Sequence, residues 1–227
     1  SELEEIYKTY KTELENMSFQ ESCENRVVGY LITEKEWKDY GNDTYTTSYS
    51  LPIYENFTKT MGLLKEAGKE IVDFSGIMSN PTYAKVQEGA ALAREKSVDF
   101  ILAVGGGSVA DCCKVVSAQT VLEEDIWSME YQKGQFPAAG IPMGVVVTAS
   151  GTGAEMNSGA VITCEDKNWK GPIVGTAARF AVLDPAYTAS VPRMQVLSGA
   201  FDTLSHAMET YFGNSDQDNV SDDVALA

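Results

Sequence analysis

The stretch Asp99-Phe-Ile-Leu-Ala-Val-Gly-Gly-Gly-Ser-Val-Ala-Asp111 limits the fold more than any other part of the chain. DFILAV (99–104) is a short, nearly continuous apolar run, the pattern of a strand covered on both faces. Three glycines follow, and then the helical pattern VADCCKVVSAQTV. Glycines let the backbone take positive φ and come close to a ligand. The helix start behind them offers unpaired N–H groups and the positive end of a dipole. Together these features make a phosphate cradle from Gly105, Gly106, Gly107 and Ser108. Gly105, Gly107 and Ala110 also fit the spacing G-x-G-x-x-G/A, which is a weak signal when it stands alone. A tight strand-to-helix turn without a ligand is the alternative.

A second loop has the same character. Val145-Val-Val-Thr-Ala-Ser-Gly-Thr-Gly-Ala-Glu155 follows another buried-strand signature, MGVVVT (143–148). The hydroxyls of Thr148, Ser150 and Thr152 suit contact with a phosphate, ribose or amide. A plain Ser/Thr/Gly turn reads equally well from this loop alone. Two such loops after two buried strands point to the carboxyl edge of one sheet, where α/β proteins bind ligands.

The rest of the chain supports that architecture. Residues 1–16 and 52–67 read as helices, the second closed by Gly68. VVGYLI (27–32) reads as a buried strand and EIVDF (70–74) as another. Residues 80–97 form a helix with Pro81 near its start. GAVIT (159–163) and FAVLD (180–184) are further strands, and PRMQVLSGAFDTLSHAMETYF (192–212) is a long or bent helix. Alternating buried strands and helices imply an α/β fold with a parallel sheet and crossovers.

Asp202 and His206, the only histidine of the chain, are four residues apart in that last helix and so share a face. A carboxylate and a neutral imidazole suit a divalent metal such as Fe²⁺ or Zn²⁺. An i,i+4 surface pair is the alternative, and a metal site needs more ligands than these two.

Charge and composition narrow the function classes. With 33 acidic against 17 basic residues the net charge is −16. This disfavours nucleic acid and anionic membrane surfaces as partners. No apolar run approaches a membrane span, and the acidic N-terminus lacks the pattern of a signal peptide. Cys23, Cys112, Cys113 and Cys164 fit neither a zinc ribbon nor a disulfide framework, which implies a reduced, cytoplasmic protein. Cys112 and Cys113 lie in the helix behind the glycine turn, where small apolar packing is the expected role.

Five segments in order resemble the iron-containing alcohol dehydrogenase family, nearest its NAD(P)H-dependent butanol dehydrogenase and aldehyde reductase branch. They are NPTY (80–83), DFILAVGGGSVADCCK (99–114), IPMGVVVTASGTGAE (141–155), FAVLDPAYTASVP (180–192) and GAFDTLSHAMETY (199–211). The resemblance implies a Rossmann-like NAD(P)-binding domain over residues 51–192 and the beginning of an all-helical metal-binding domain over 193–227, as in dehydroquinate synthase-like architectures. Residues 1–50 form an atypical N-terminal segment in this reading. It implies hydride transfer between a primary alcohol or aldehyde and NAD or NADP, with a small-molecule substrate and, by family habit, a homodimer.

The resemblance also implies residue roles. Gly105, Gly106, Gly107 and Ser108 match the pyrophosphate loop, with Asp111 behind it. Thr148, Ser150 and Thr152 match the loop at the ribose and nicotinamide side. Lys170 matches a lysine that touches the ribose, and Leu183 lines the cleft. Asp202 and His206 match the first two of four metal ligands. The family's other two ligands are histidines further downstream, so this chain reads as a fragment of a longer enzyme, with a shortened relative as the alternative. A glycerol dehydrogenase-like enzyme and a non-catalytic dinucleotide-binding module are the competing functional readings. In the chain as given, Asp202 and His206 are expected to face a cleft without holding a metal tightly.

Overall fold

The computed structural model describes residues 26–29, 60–189, 191, 193–213 and 225. The expected helix at 1–16 and the first part of that at 52–67 lie outside the described residues, as does all of VVGYLI beyond Gly29.

The continuous apolar runs become the centre of a parallel sheet. Strands β1 (Arg26–Gly29), β2 (Glu70–Asp73), β3 (Phe100–Gly105), β4 (Met143–Val147) and β7 (Phe180–Val182) lie in the order β2-β1-β3-β4-β7. Every neighbouring pair is parallel. All residues of β3 and β4 are buried, as their unbroken apolar sequences require. The chain moves outward from β1 to β2 and then crosses to β3 on the other side of β1, so the strand order reverses between β1 and β3. Ligands bind at such a switch point in open α/β sheets.

Helix α1 (Tyr83–Glu95) starts where Thr82 caps it, accepting from the Lys85 N–H at 3.2 Å. It packs on helix α2 (Gly107–Val121) through Gly89, where a Cβ would stand 2.8 Å from both Phe74 and Val116. Helix α2 buries Val109, Ala110, Cys112, Cys113, Val115, Val116 and Ala118 in the main core. Each valine fully buried contributes about 1.5–3 kcal/mol relative to exposure, so this helix is a principal source of cohesion. Residues 60–66 are helical, and Gly68 closes the turn at φ +72°. On the opposite face of the sheet a smaller cluster gathers Phe100, Leu102, Val104 and Val146, with Phe180 stacked on Phe100 at 6.0 Å.

GAVIT is a strand, but it does not join the parallel sheet. It forms β5 (Gly159–Cys164), which pairs antiparallel with β6 (Trp169–Val174), a strand the sequence reading did not find. The correction has a physical basis. Ala160, Ile162 and Cys164 are buried while Gly159 and Val161 are exposed, the alternation of a one-sided hairpin and not of a doubly covered strand. The hairpin lies against α2. A ring cluster of Tyr83, Trp127, Tyr131 and Trp169 covers its far end. After β7 come a single turn, α3 (Pro185–Thr188), capped by Asp184 on Ala186 N at 2.9 Å, and then the long helix α4 (Arg193–Phe212).

Candidate functional site

The glycine turn sits at the carboxyl end of β3, at the edge of the switch point. Gly105 is held by sterics, because a Cβ there would lie 2.5 Å from Val109 Cγ2. Gly106 is the N-cap of α2 and no side chain caps the helix, which leaves its opening N–H groups aimed past the end of the sheet. Gly107 and Ser108 form the first turn, half-buried.

The second loop lies directly beside this turn. The Thr148 N–H donates to the Gly105 carbonyl at 3.0 Å, and Thr148 itself is buried. A Cβ on Gly106 would touch Ala149 Cβ at 3.4 Å, and one on Gly107 would come to 3.7 Å from Thr152 Oγ1. Ser150 and Thr152 are exposed. Gly153, at φ +68°, turns the chain into a 3₁₀ turn at Ala154–Met156. The two loops that the sequence singled out are thus one continuous surface.

Helix α4 rests on the same loop. A Cβ on Gly199 would collide with the Ser150 carbonyl oxygen, so only glycine permits this approach. Thr203 Oγ1 lies 3.0 Å from the Gly151 carbonyl and 2.9 Å from that of Gly199. A Cβ on Gly151 would stand 3.3 Å from Asp202 Oδ2. Asp202 is therefore brought to the second loop by a backbone contact. His206 Nε2 is 3.8 Å from Asp202 Oδ1, and its Nδ1 is 3.8 Å from Glu209 Oε2. The His206 and Asp202 side chains are 54% and 46% exposed. A carboxylate and an imidazole on one open helical face fit the donor chemistry of a divalent metal. Among the described residues no third His, Cys, Asp or Glu joins them in a cluster of metal-binding shape.

The remaining expected residues are placed differently. Leu183 is 62% exposed and follows Val182, whose partner on β4 is Val146, so it lies one strand over from the second loop. Lys170 stands on β6 opposite Thr163, and its Nζ donates to Asn80 Oδ1 at 2.6 Å. Asp111 turns both carboxylate oxygens inward. Oδ1 is 3.3 Å from Lys114 Nζ, and Oδ2 accepts the Val161 N–H at 2.9 Å. Outside the expected set, Asp125 in the acidic segment beyond α2 accepts from Ser128 N at 2.9 Å and from the Tyr83 hydroxyl.

Lys114 escaped the sequence reading. Its side chain is fully buried, and burial lowers its pKa against the raising effect of Asp111. Its signal was present: a lysine three residues after Asp111 in the otherwise apolar run DCCKVVSA. Gly199 and Thr203 also escaped, because what they do depends on which loop the helix meets.

The architecture is an open parallel α/β sheet with glycine-rich loops after β3 and β4 at its carboxyl edge, where ligands of such sheets bind. The model of the iron-containing alcohol dehydrogenases matches residues 38–185. A probable NADH-dependent butanol dehydrogenase 2 of Bacillus subtilis is 38% identical over 198 residues, covering 85% of this chain and 50% of that protein. The NADPH-dependent aldehyde reductase YqhD of Escherichia coli is 39% identical over 148 residues, covering 63% and 38%. The crystal structure of NADH-dependent butanol dehydrogenase A from Thermotoga maritima superimposes with a TM-score of 0.73 at 31% identity, covering 88% of this chain and 47% of that one. The chain belongs to the iron-containing alcohol dehydrogenase family, a family of alcohol and aldehyde oxidoreductases. It spans about half the length of the curated relatives it matches. The family is iron-containing, so of the two metals expected iron is supported and zinc is not. Asp202 and His206 lie beyond the matched residues 38–185. Among the described residues no helix is long and apolar enough to cross a membrane.

Proposed function

We propose that this chain carries the nucleotide-binding part of an enzyme that interconverts primary alcohols and aldehydes with NAD(H) or NADP(H). The observation that carries the reading is the three-way contact at the carboxyl edge of the sheet. The glycine turn touches the second loop, and the second loop touches the helix bearing Asp202.

In this reading the N–H groups at Gly106–Ser108 hold the pyrophosphate at the helix start. The hydroxyls of Thr148, Ser150 and Thr152 orient the ribose and the nicotinamide side. Leu183 supplies an apolar wall, and Lys170 reaches the ribose if it leaves Asn80. Asp202 and His206 are two of the donors for a divalent iron, whose chemistry when bound is to polarise a carbonyl oxygen or stabilise an alkoxide. The nicotinamide supplies or accepts the hydride. The protein's own work is to hold the two reacting carbons in line and to exclude water. Residues 51–192 serve as the nucleotide domain and residues from 193 as the start of the metal-binding domain. The free, buried Cys112, Cys113 and Cys164 are in keeping with a reducing, cytoplasmic setting.

The test is titration of the purified protein with NADH and NADPH, followed by an assay with butyraldehyde and added Fe²⁺. Nucleotide binding without turnover supports a nucleotide-binding portion that lacks part of its metal site. Turnover supports the full reaction in this chain. Failure to bind either nucleotide overturns the reading.

A further inference from the structure

We propose that Lys114 and Asp111 are positioning residues that fix the second loop against the glycine turn, and that neither touches the nucleotide. The inference rests on the nucleotide reading above.

The geometry is closed around the ammonium. Lys114 Nζ lies 2.7 Å from the Gly159 carbonyl, 3.1 Å from Asn157 Oδ1 and 3.3 Å from Asp111 Oδ1. An ammonium has three N–H donors, and three oxygens take them. Nothing is left for a phosphate, and the side chain has no exposed surface. Asp111 is occupied in the same way, with one oxygen on Lys114 and the other on Val161 N. Both residues lie on α2, within two turns of the glycines. Their partners Asn157, Gly159 and Val161 lie immediately after the second loop.

The main chain at Lys114 extends the clamp. Its carbonyl accepts from Thr176 N at 3.1 Å, and a Cβ on Gly175 would stand 2.5 Å from its carbonyl carbon. Gly175 N in turn donates to Ser158 O at 2.8 Å. One residue of α2 therefore grips both strands at the open end of the β5–β6 hairpin, and through Asn157 and Gly159 it anchors the downstream end of the second loop. The upstream end is anchored by Thr148 N on Gly105 O. With both ends tied to the β3–α2 unit, the spacing between the loops is set by these bonds. Releasing one end frees the loop that serves the nicotinamide side and leaves the pyrophosphate turn in place.

That asymmetry gives the test. Affinities for NADH and for ADP, which needs only the glycine turn, are measured on the protein and on Lys114→Met and Asn157→Ala, with thermal unfolding alongside. Met keeps a chain of similar volume but leaves Asp111, Asn157 and the Gly159 carbonyl without their donor, so a loss of stability is expected and thermal unfolding separates it from the change in affinity. The expected result is NADH affinity about tenfold lower in K114M, equivalent to about 1.4 kcal/mol, with ADP affinity within about twofold of the parent. Equal losses for both ligands, or no loss of NADH affinity, would overturn the proposal. Asn157 is exposed and its variant keeps the core, so if K114M does not fold, unchanged NADH affinity in N157A overturns the proposal by itself. Absence of both NADH and ADP binding in the parent protein would instead overturn the nucleotide reading on which the proposal stands.

Discussion

Gly199 and Ser150 meet backbone to backbone, with no room for a Cβ between them. Gly199 lies inside a helix, where glycine is about 1 kcal/mol worse than alanine, so its presence is best explained by the contact. We predict that Gly199→Ala lifts α4 from the second loop despite its better helix propensity. Hydrogen exchange should accelerate along residues 193–212 while β3 and β4 keep their protection. Unchanged protection in α4 would contradict the docking.

Gly105 and Gly106 should separate fold from ligand. Gly105→Ala places a methyl 2.5 Å from Val109 Cγ2 and is expected to destabilise by about 1–3 kcal/mol in urea unfolding. Gly106 has φ −86°, which alanine adopts freely, and its Cβ would only touch Ala149 at 3.4 Å. Gly106→Ala is therefore expected to keep stability within about 0.5 kcal/mol. Its NADH affinity should fall about tenfold, because the methyl crowds the helix start.

The sequence made the sheet and its loops legible because β3 and β4 are buried on both faces and need unbroken apolar runs. The hairpin was misplaced for the converse reason: GAVIT alternates, and its partner WKGPIV mixes a tryptophan, a lysine and a proline on a half-exposed strand. The two loops, expected only to share one carboxyl edge, meet in the structure through Gly106, Gly107, Ala149 and Thr152. Lys114 was not legible as a clamp, since its three oxygens come from residues 3, 43 and 45 positions away. Only the hairpin's placement brings them together. The role of α4 was hidden likewise, because a pattern of helical spacing does not say which loop a glycine will meet.

Alkaline pH should unfold the protein in a way that reports on α2. Burial pushes the Cys113 thiol from 9.0 up to about 12, and burial with the neighbouring Cys113 raises Cys112 as well. A raised folded-state pKa means a contribution that is full below the unfolded value of 9.0 and is lost as pH rises toward the folded value. Urea midpoints should thus begin to fall above pH 9.0. Cys113→Ala should make that fall shallower by up to about 1.4 kcal/mol per pH unit. An identical slope in the variant would count against the buried, protonated thiol.

Tyr83 joins α1 to the segment after α2. Its hydroxyl donates to Asp125 and accepts the Trp127 N–H at 3.2 Å. Tyr83→Phe leaves that N–H, on a buried residue, without its acceptor, and a loss of about 1–3 kcal/mol is expected. Differential scanning calorimetry of the variant checks it.

Iron should read out the α4 pair independently of turnover. Weak Fe²⁺ binding to the protein is expected, abolished by His206→Ala or Asp202→Asn. ADP affinity of both variants should stay within about twofold, since ADP needs only the glycine turn and Asp202 lies against the second loop. Iron binding that survives both changes would place the metal elsewhere.

A side-chain contact has slack, because rotamers can shift to absorb a small displacement. The meeting of Gly199 with Ser150 has none, and Asp202 is only three residues further along the same rigid helix. Whatever moves the second loop therefore moves the Asp202 carboxylate by nearly the same amount, as two parts of one bracket move. Alignment between the two halves of such a site would be a property of the main chain, and so would be tuned by changing glycines and loop length more readily than by changing the reactive side chains.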